Sequence, residues 1–216
     1  TSFTYDSMDR VTAITDAKGG VTTYTYTKRG EVASKKDAEG YITSYEYDGN
    51  GNCVKMTTVD GDTIYEYDPL DRLIKTTTPD GESTSMTYDG VGNITSSTDA
   101  NGNTTQYKYD GVGNVVETID ALGTSAFFEY DSMVHNQTKV TETDGSETSY
   151  TYDGMGRVTE MRYPNGWVEY YTYDKMGRIL KVEDTHPSEK PAKTQKHTYA
   201  YDANGNMTYE YMRGNG

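Results

Sequence analysis

The chain has little of what most folded domains use to hold themselves together. Its 216 residues include one cysteine, Cys53, which excludes an intrachain disulfide framework and a cysteine-rich metal site. Leu, Ile, Val and Phe together number only 28, which is below the roughly 20% at which a strongly charged chain is suspected of disorder. No apolar stretch is long enough for a transmembrane helix or a signal peptide.

Positive charge is also scarce. The 20 Lys and Arg residues stand against 34 Asp and Glu, for a net charge of −14, and the basic residues form no run. Phosphate binding needs clustered basic residues, so nucleic acid is excluded as a partner. Disorder is excluded by the 22 tyrosines, because they recur at fixed positions and because Tyr and Thr both favour strands.

What the chain does have is a tyrosine that returns at a nearly constant interval. The interval is 20 to 22 residues throughout, except for a final one of 28. Aspartate follows this tyrosine in nine of ten cases, and Thr27 replaces it once. The ten positions are Tyr5, Tyr26, Tyr47, Tyr67, Tyr88, Tyr109, Tyr130, Tyr152, Tyr173 and Tyr201. Such a period is typical of repeat proteins, whose units bury apolar surface by stacking on their neighbours.

Each repeat contains two turn signals. One follows the Tyr-Asp pair, as in Asp89-Gly-Val-Gly92. The other resembles Asp99-Ala-Asn-Gly102, which fits a type I turn whose glycine takes positive φ in a bulged hairpin. We expect Asp60-Gly61, Asp80-Gly81, Asp144-Gly145 and Asn165-Gly166 to be shortened versions of the second signal. The predicted turn glycines are Gly40, Gly61, Gly81, Gly102, Gly123, Gly145 and Gly166.

The segments between turns read as strands. The segment that ends in Tyr-Asp carries apolar residues two apart, such as Tyr45 and Tyr47, which places both on one face of a sheet. The partner segment begins with an aliphatic residue such as Val32 or Ile94. Each repeat is therefore a predicted β-hairpin. The fold class is all-β, a single-layer sheet of antiparallel hairpins in which aromatic and aliphatic columns alternate.

The organisation predicted from this pattern is one array, residues 1–216, of about ten units cut from a larger protein. The last interval contains extra residues. Residues 183–193 are polar and include two prolines, so we expect a long surface loop there. The two terminal strands lack neighbours in this array, which predicts edge-to-edge self-association.

The chain offers little catalytic chemistry. His135, His186 and His197 are far apart, and no nucleophile, base and acid share a recognisable spacing, so no catalytic, cofactor or metal residue is assigned. Asp48–Asn52 and Asp202–Asn206 are similar to half of a calcium loop, but the bidentate Glu is missing. Trp167 is the best candidate for contact with a ligand, because an aromatic ring beside a turn can stack on a sugar; the alternative is that the aromatic residues only form the core.

Several segments resemble the YD repeats of the RHS (rearrangement hotspot) family. They are Tyr-Asp-Gly-Met-Gly-Arg-Val-Thr (152–159), Tyr-Asp-Lys-Met-Gly-Arg-Ile-Leu (173–180), Tyr-Asp-Gly-Val-Gly-Asn-Ile-Thr (88–95) and Thr-Asp-Ala-Asn-Gly-Asn-Thr-Thr (98–105). The resemblance implies a spiralling β-sheet that wraps into a hollow shell. In bacterial polymorphic toxins and insecticidal toxin complexes such a shell encloses a toxin domain, and in teneurins a similar barrel belongs to an adhesion protein.

Toxin members of that family also carry a self-cleaving segment with an Asp-Pro-x-Gly core. This chain has only Asp68-Pro69-Leu70-Asp71, without the glycine, so no catalytic residue is transferred. The predicted function is a non-catalytic segment of the β-shell of a secreted or surface-attached bacterial protein, which encloses or displays an appended toxin domain. The alternative is an adhesion module that binds carbohydrate or a cell surface through an aromatic face.

Overall fold

The structure, a computed structural model, describes residues 1–186 and 193–214. These residues form twenty β-strands and no helix, which confirms the predicted all-β class. No helix that could cross a membrane occurs in the described residues. The chain divides into two compact units, Thr1–Thr105 and Gln106–Gly216.

The first unit contains ten strands. They are β1 (Ser2–Tyr5), β2 (Val11–Thr15), β3 (Val21–Tyr26), β4 (Val32–Lys36), β5 (Ile42–Tyr47), β6 (Cys53–Thr58), β7 (Gly61–Tyr67), β8 (Leu73–Thr77), β9 (Ser83–Tyr88) and β10 (Ile94–Thr98). From β1 to β9, each strand pairs antiparallel with the next strand along the chain. This unit is therefore a meander of hairpins, as the two turn signals per repeat predict.

The second unit has the same plan. The boundary between units falls inside β11 (Thr104–Tyr109). The other strands are β12 (Val115–Ile119), β13 (Ser125–Tyr130), β14 (Gln137–Thr141), β15 (Glu147–Tyr152), β16 (Val158–Arg162), β17 (Val168–Tyr173), β18 (Ile179–His186), β19 (Lys193–Tyr201) and β20 (Met207–Gly214). Antiparallel pairing again joins each strand to the next.

The turns have one recurring geometry. In Asp99–Asn103 the amide of Asp99 donates to the carbonyl of Asn103 at 2.9 Å, and the amide of Gly102 donates to the carbonyl of Asp99 at 3.0 Å. This is a type I turn followed by a residue in the left-handed region. All seven glycines named above have positive φ, between 79° and 121°.

Three of the four turns expected to be shortened have the full length. Gly81, Gly145 and Gly166 donate to the carbonyl three residues earlier, at 2.9 to 3.0 Å, as Gly102 does. The expectation was wrong because it required Asp at the first turn position, whereas Thr78, Glu142 and Tyr163 also start this turn. Only the turn at Gly61 is shorter, because Thr58 pairs directly with Gly61.

Replacing Gly102 with Val tests the backbone requirement without a steric clash. Its φ is +83° and a Cβ there would meet no atom within 4 Å, so the expected loss of about 2 kcal/mol in the free energy of unfolding comes from backbone strain. Gly90 has equally open surroundings without a positive φ, so Gly90→Ala should change stability by less than about 0.5 kcal/mol. Chemical denaturation measures both. Equal effects of the two variants would contradict the turn assignment.

A β-bulge recurs where each tyrosine-ended strand meets its partner. In the β3–β4 hairpin Tyr26 pairs with Val32 and Thr25 pairs with Ser34, so Ala33 is an extra residue. The same shift precedes the tyrosine in the other hairpins of this type. Bulges increase the twist of a strand. Each hairpin of this type therefore has added twist at the same point. Beyond the bulge the tyrosine pairs directly with the first residue of the next strand, as Tyr26 does with Val32, so both side chains lie on one face of the sheet.

The sheet is thin. Among the described residues Val168, at 2% exposure, is the only fully buried apolar residue, and no polar residue is fully buried. Apart from the exposed Tyr5, the phased tyrosines are half-buried rather than enclosed, so packing alone is a weak source of stability.

The long loop predicted for residues 183–193 is partly strand. β18 continues through His186 and β19 starts at Lys193, with His186 paired to Lys193. The polar composition suggested a loop, but two strands extended by pairing satisfy the same backbone groups. Residues 187–192 lie outside the described part of the chain.

Candidate functional site

The recurring tyrosines join each repeat to the one before it. The hydroxyl of Tyr152 donates to the backbone carbonyl of Gln137 at 2.6 Å, and Gln137 is the first residue of β14. The same bond, at 2.6 to 3.0 Å, is made by the residues that we call the joint tyrosines: Tyr26, Tyr47, Tyr67, Tyr88, Tyr130, Tyr152, Tyr173 and Tyr201. Tyr5 and Tyr109 occupy the same place in β1 and β11, and Tyr5 is mostly exposed.

In several repeats the residue two positions before the joint tyrosine makes no hydrogen bond through a hydroxyl. Tyr45, Tyr65 and Tyr150 lie two residues before a joint tyrosine, and in the described residues their hydroxyls make no hydrogen bond. Met86 and Phe128 fill the same position. Variation is therefore found where only an apolar surface is required, and tyrosine is found wherever a donor must reach a carbonyl.

The aspartate after each tyrosine organises the turn. Oδ1 of Asp153 accepts the amides of Met155 at 2.9 Å and Arg157 at 3.0 Å, and Oδ2 accepts Nε of Arg157 at 2.7 Å. The hydrogen bond from the Arg157 side chain, with the backbone amides, lowers the pKa of Asp153. The carboxylate thus supplies acceptors for turn amides that have no strand partner.

An arginine then connects the turn to the following repeat. The guanidinium carbon of Arg157 lies 4.6 Å from the centre of the Tyr173 ring, and a terminal nitrogen donates to the carbonyl of Asp174 at 3.2 Å. Arg10, Arg72 and Arg178 stack in the same way on Tyr26, Tyr88 and Tyr201, at 4.5 to 4.6 Å. Asparagine holds this place in other repeats and keeps the bond to the aspartate, at Asn52, Asn93, Asn114 and Asn206. Asn52 also donates to Asp71 in the next repeat, at 2.7 Å.

Replacing Arg157 with Asn converts one type of joint into the other. The bond to Asp153 is preserved in kind, while the contacts with Tyr173 and Asp174 are lost. We expect about 1 kcal/mol less stability, in the range of a half-exposed cation–π contact with its hydrogen bond. Arg162→Asn removes the same charge from an arginine that pairs with Glu160 instead of a tyrosine. Denaturation curves in which the two variants coincide would exclude a role for the arginine in the joint.

In the repeat where Thr27 replaces the aspartate, other residues make the connection from the turn to the following repeat. The Thr27 hydroxyl bonds to the Glu31 carboxylate, and Arg29 forms an ion pair with Glu31 at 3.2 Å. Arg29 also donates to the carbonyl of Gly49 in the next repeat at 2.8 Å. An arginine from a different turn position therefore makes the bridge. In the Asp131 turn, His135 takes the positive φ (57°) that glycine supplies in most other turns, and Asp9 and Asp71 do the same (60°) in theirs.

The two segments similar to calcium loops use their aspartates in the turns. Oδ1 of Asp48 accepts two backbone amides at 2.9 Å, and Oδ2 accepts the Asn52 side chain at 3.0 Å. Asp202 has the equivalent bonds. No cluster of three metal-ligating His, Cys, Asp or Glu side chains occurs in the described residues.

Trp167 lines a pocket in the second unit. The lining residues, which define the Trp167 pocket, are Tyr163, Asn165, Trp167, Glu169, Asp184 and Gln195, and the volume is about 300 Å³. The register pairs Glu169 with Asp184 and Asp184 with Gln195, so these three side chains stand in a row across β17, β18 and β19. His186 packs edge-on against Trp167, with ring centres 5.4 Å apart.

Acidic side chains with raised pKa values distinguish this pocket. Burial and a hydrogen bond to Glu169 raise the pKa of Tyr163 to about 12, and the same causes raise the pKa of Tyr171. Burial, followed by the negative charge of Glu169, raises the pKa of Asp184. Oδ1 of Asp184 is buried and has no hydrogen-bond partner. Sequence reasoning identified Trp167 and missed both carboxylates.

Comparison with known proteins agrees with the fold and the repeat. The chain has a TM-score of 0.64 and 17% identity to the crystal structure of TcdB2-TccC3, and 0.63 and 18% to a Tc holotoxin pore of Photorhabdus luminescens with a mutated TccC3. Each alignment covers 98% of this chain, which spans only 15% of the length of those chains.

Sequence comparison gives a more specific answer. No curated protein sequence matches the chain. The RHS Repeat family model matches residues 26–63, 88–125 and 130–166, which together make up just over half of the sequence. Each match begins at one of the recurring tyrosines, Tyr26, Tyr88 or Tyr130, and continues past the next one. The chain therefore belongs to the RHS-repeat family.

Proposed function

We propose that this chain is a non-catalytic segment of the wall of a larger RHS-repeat shell, which encloses or displays an appended domain. One observation carries the proposal: in successive repeats a tyrosine hydroxyl is bonded to the carbonyl of the preceding repeat. Such a joint makes neighbouring hairpins a continuous hydrogen-bonded sheet. The matched structures are toxin-complex chains nearly seven times longer, which is consistent with a segment of a larger secreted assembly.

The thin core supports the same proposal. A sheet with one fully buried apolar residue in its described part gains stability by continuing into further repeats or by covering its tyrosine face. The partners proposed are the neighbouring repeats of the parent protein and, inside the wall, a toxin or other appended domain.

The experiment uses the full-length parent polypeptide. Its appended domain should resist protease in the wild type and become cleavable when Tyr152 and Tyr173 are both replaced by Phe. Tyr45→Phe combined with Tyr150→Phe is the matched control, because those hydroxyls make no bond in the described residues. Cleavage of the appended domain at the same rate in all three proteins would refute the shielding role.

Edge-to-edge association remains a second proposal about this chain alone. β1 in the first unit and β20 in the second are each paired on one side within their unit. Exposed strand edges template pairing with another chain. Light scattering over a concentration series should show growth in mass, and a constant monomer mass at the highest concentration would dismiss it. Glycan binding through Trp167 is the alternative function, and a titration of the Trp167 fluorescence with N-acetylglucosamine tests it.

A further inference from the structure

Around the Trp167 pocket, one position of the repeat carries an unusual residue in two consecutive repeats. Four residues before the recurring tyrosine, seven consecutive repeats have Thr or Ala: Thr22, Thr43, Thr63, Thr84, Thr105, Ala126 and Thr148. The next two repeats have Glu169 and His197 instead. A small neutral side chain is thus the rule on this face, and ionisable side chains occur only around the pocket.

Asp184 lies in a strand, whereas the equivalent aspartates of other repeats lie in a turn. Eleven residues after the recurring tyrosine, other repeats have Asp16, Asp37, Asp99 and Asp120, each of which accepts a turn amide through Oδ1. In this repeat the hairpin is longer, and Asp184 lies in β18 between Glu169 and Gln195. Its Oδ1 has therefore lost the donors that the turn supplies elsewhere.

The pocket is rich in acceptors and poor in donors. Tyr171 donates its hydroxyl to Glu169, so this phenol is already committed. Neither Glu169 nor Asp184 forms an ion pair in the described part of the chain. Two neighbouring carboxylates, of which one lacks a donor, are stabilised by a positive charge that also donates hydrogen bonds.

The other residues that line the pocket also suit a positively charged group. Trp167 provides the aromatic face that attracts cations most strongly, and Asn165 and Gln195 complete the lining. His197 acts on Asp184 and lowers its pKa, against the larger opposing effects of burial and Glu169. A neutral sugar can stack on Trp167 but brings no positive charge to Glu169 and Asp184. The volume of about 300 Å³ accepts a single small group or one side chain.

We propose that the Trp167 pocket binds an organic cation, an alkylammonium or guanidinium group held between the Glu169–Asp184 pair and the indole of Trp167. The group is either a free amine or the side chain of a Lys or Arg on a partner polypeptide. This assignment is independent of the wall function, because it depends on residues that the joints do not use.

The test uses the fluorescence of Trp167, the single tryptophan of the chain. Agmatine and an acetylated Gly-Arg-Gly amide should each give a saturable change, and tighter binding of the peptide would identify a polypeptide side chain as the source. Asp184→Asn should weaken binding about tenfold or more, since a charged hydrogen bond is lost. Glu169→Thr restores the residue typical of other repeats and should weaken binding in the same direction.

Controls separate the outcomes. Glu129→Gln removes an exposed charge far along the sequence and should leave binding unchanged, and circular dichroism verifies that each variant keeps its sheet. N-acetylglucosamine at the same concentration should give no change. The proposal is overturned if the amines give no saturable signal, if Asp184→Asn and Glu169→Thr both bind like the wild type, or if only the sugar binds.

Discussion

Replacing Tyr152 with Phe should lower the free energy of unfolding by about 1–2 kcal/mol, because it leaves the carbonyl of Gln137 without its donor. The ring and its contacts are kept, so the change reports on the hydroxyl alone. Tyr150→Phe is the matched control. That residue lies two positions earlier on the same face, and its hydroxyl has no partner in the described residues, so its effect should stay within about 0.5 kcal/mol.

The effect becomes large when several joints are removed together. Tyr47, Tyr88, Tyr152 and Tyr173 lie in separate repeats and share no partner, so their losses should add to roughly 4–8 kcal/mol. That is comparable with the whole stability of a domain, about 5–15 kcal/mol. The fourfold Phe variant should therefore be largely unfolded, whereas Phe at Tyr24, Tyr45, Tyr65 and Tyr150 should leave a folded sheet. Similar melting of the two fourfold variants would show that the hydroxyl joints contribute nothing.

Alkaline pH should unfold the array cooperatively. Burial raises the pKa of five joint tyrosines, Tyr47, Tyr67, Tyr130, Tyr152 and Tyr173. A folded-state pKa above the unfolded value of about 10 means that the stabilisation is complete below pH 10 and is lost as pH rises through the folded-state pKa. A phenolate cannot donate to a carbonyl, so proton loss and joint loss are one event.

The measurement follows the sheet by circular dichroism and tyrosinate by absorbance across that range. Both signals should change together and steeply, because the first joints to ionise expose the others. About 1 M salt separates this cause from simple repulsion among added negative charges, since screening weakens repulsion and leaves the hydroxyl bond untouched. A gradual tyrosinate titration with an intact sheet signal would contradict the mechanism.

Much of the fold follows from the sequence because its signals are local. Period-two alternation, Asp at a turn start and Gly at positive φ each act within a few residues, and together they specify hairpins. Turn length was misjudged at Gly81, Gly145 and Gly166 because several residue types can start a type I turn. The recurring bulge, as at Ala33, was missed because small or β-branched residues there fit a regular strand equally well.

The joints depend on contacts between repeats, which composition and alternation do not reveal. Tyr in a strand is equally consistent with packing and with a hydroxyl bond. The distinguishing signal was present, since Met86 and Phe128 replace the first aromatic residue and nothing replaces the second. The pocket carried a similar signal, because Glu169 interrupts a column of Thr and Ala, and the following insertion moves Asp184 out of its turn. Both become visible when repeats are compared position by position.

The reach of the joints governs how the chain can acquire its structure. The hydrogen bonds between side chains and backbone of the described residues connect positions at most 24 apart, as from Arg178 to Asp202. Closing such short loops is rapid, and chains dominated by nearby contacts fold fast. We therefore expect a nascent chain that leaves a ribosome or a narrow export channel to fold sequentially from its N-terminus. Each new hairpin bonds to the one already formed and needs no contact with distant parts of the sequence.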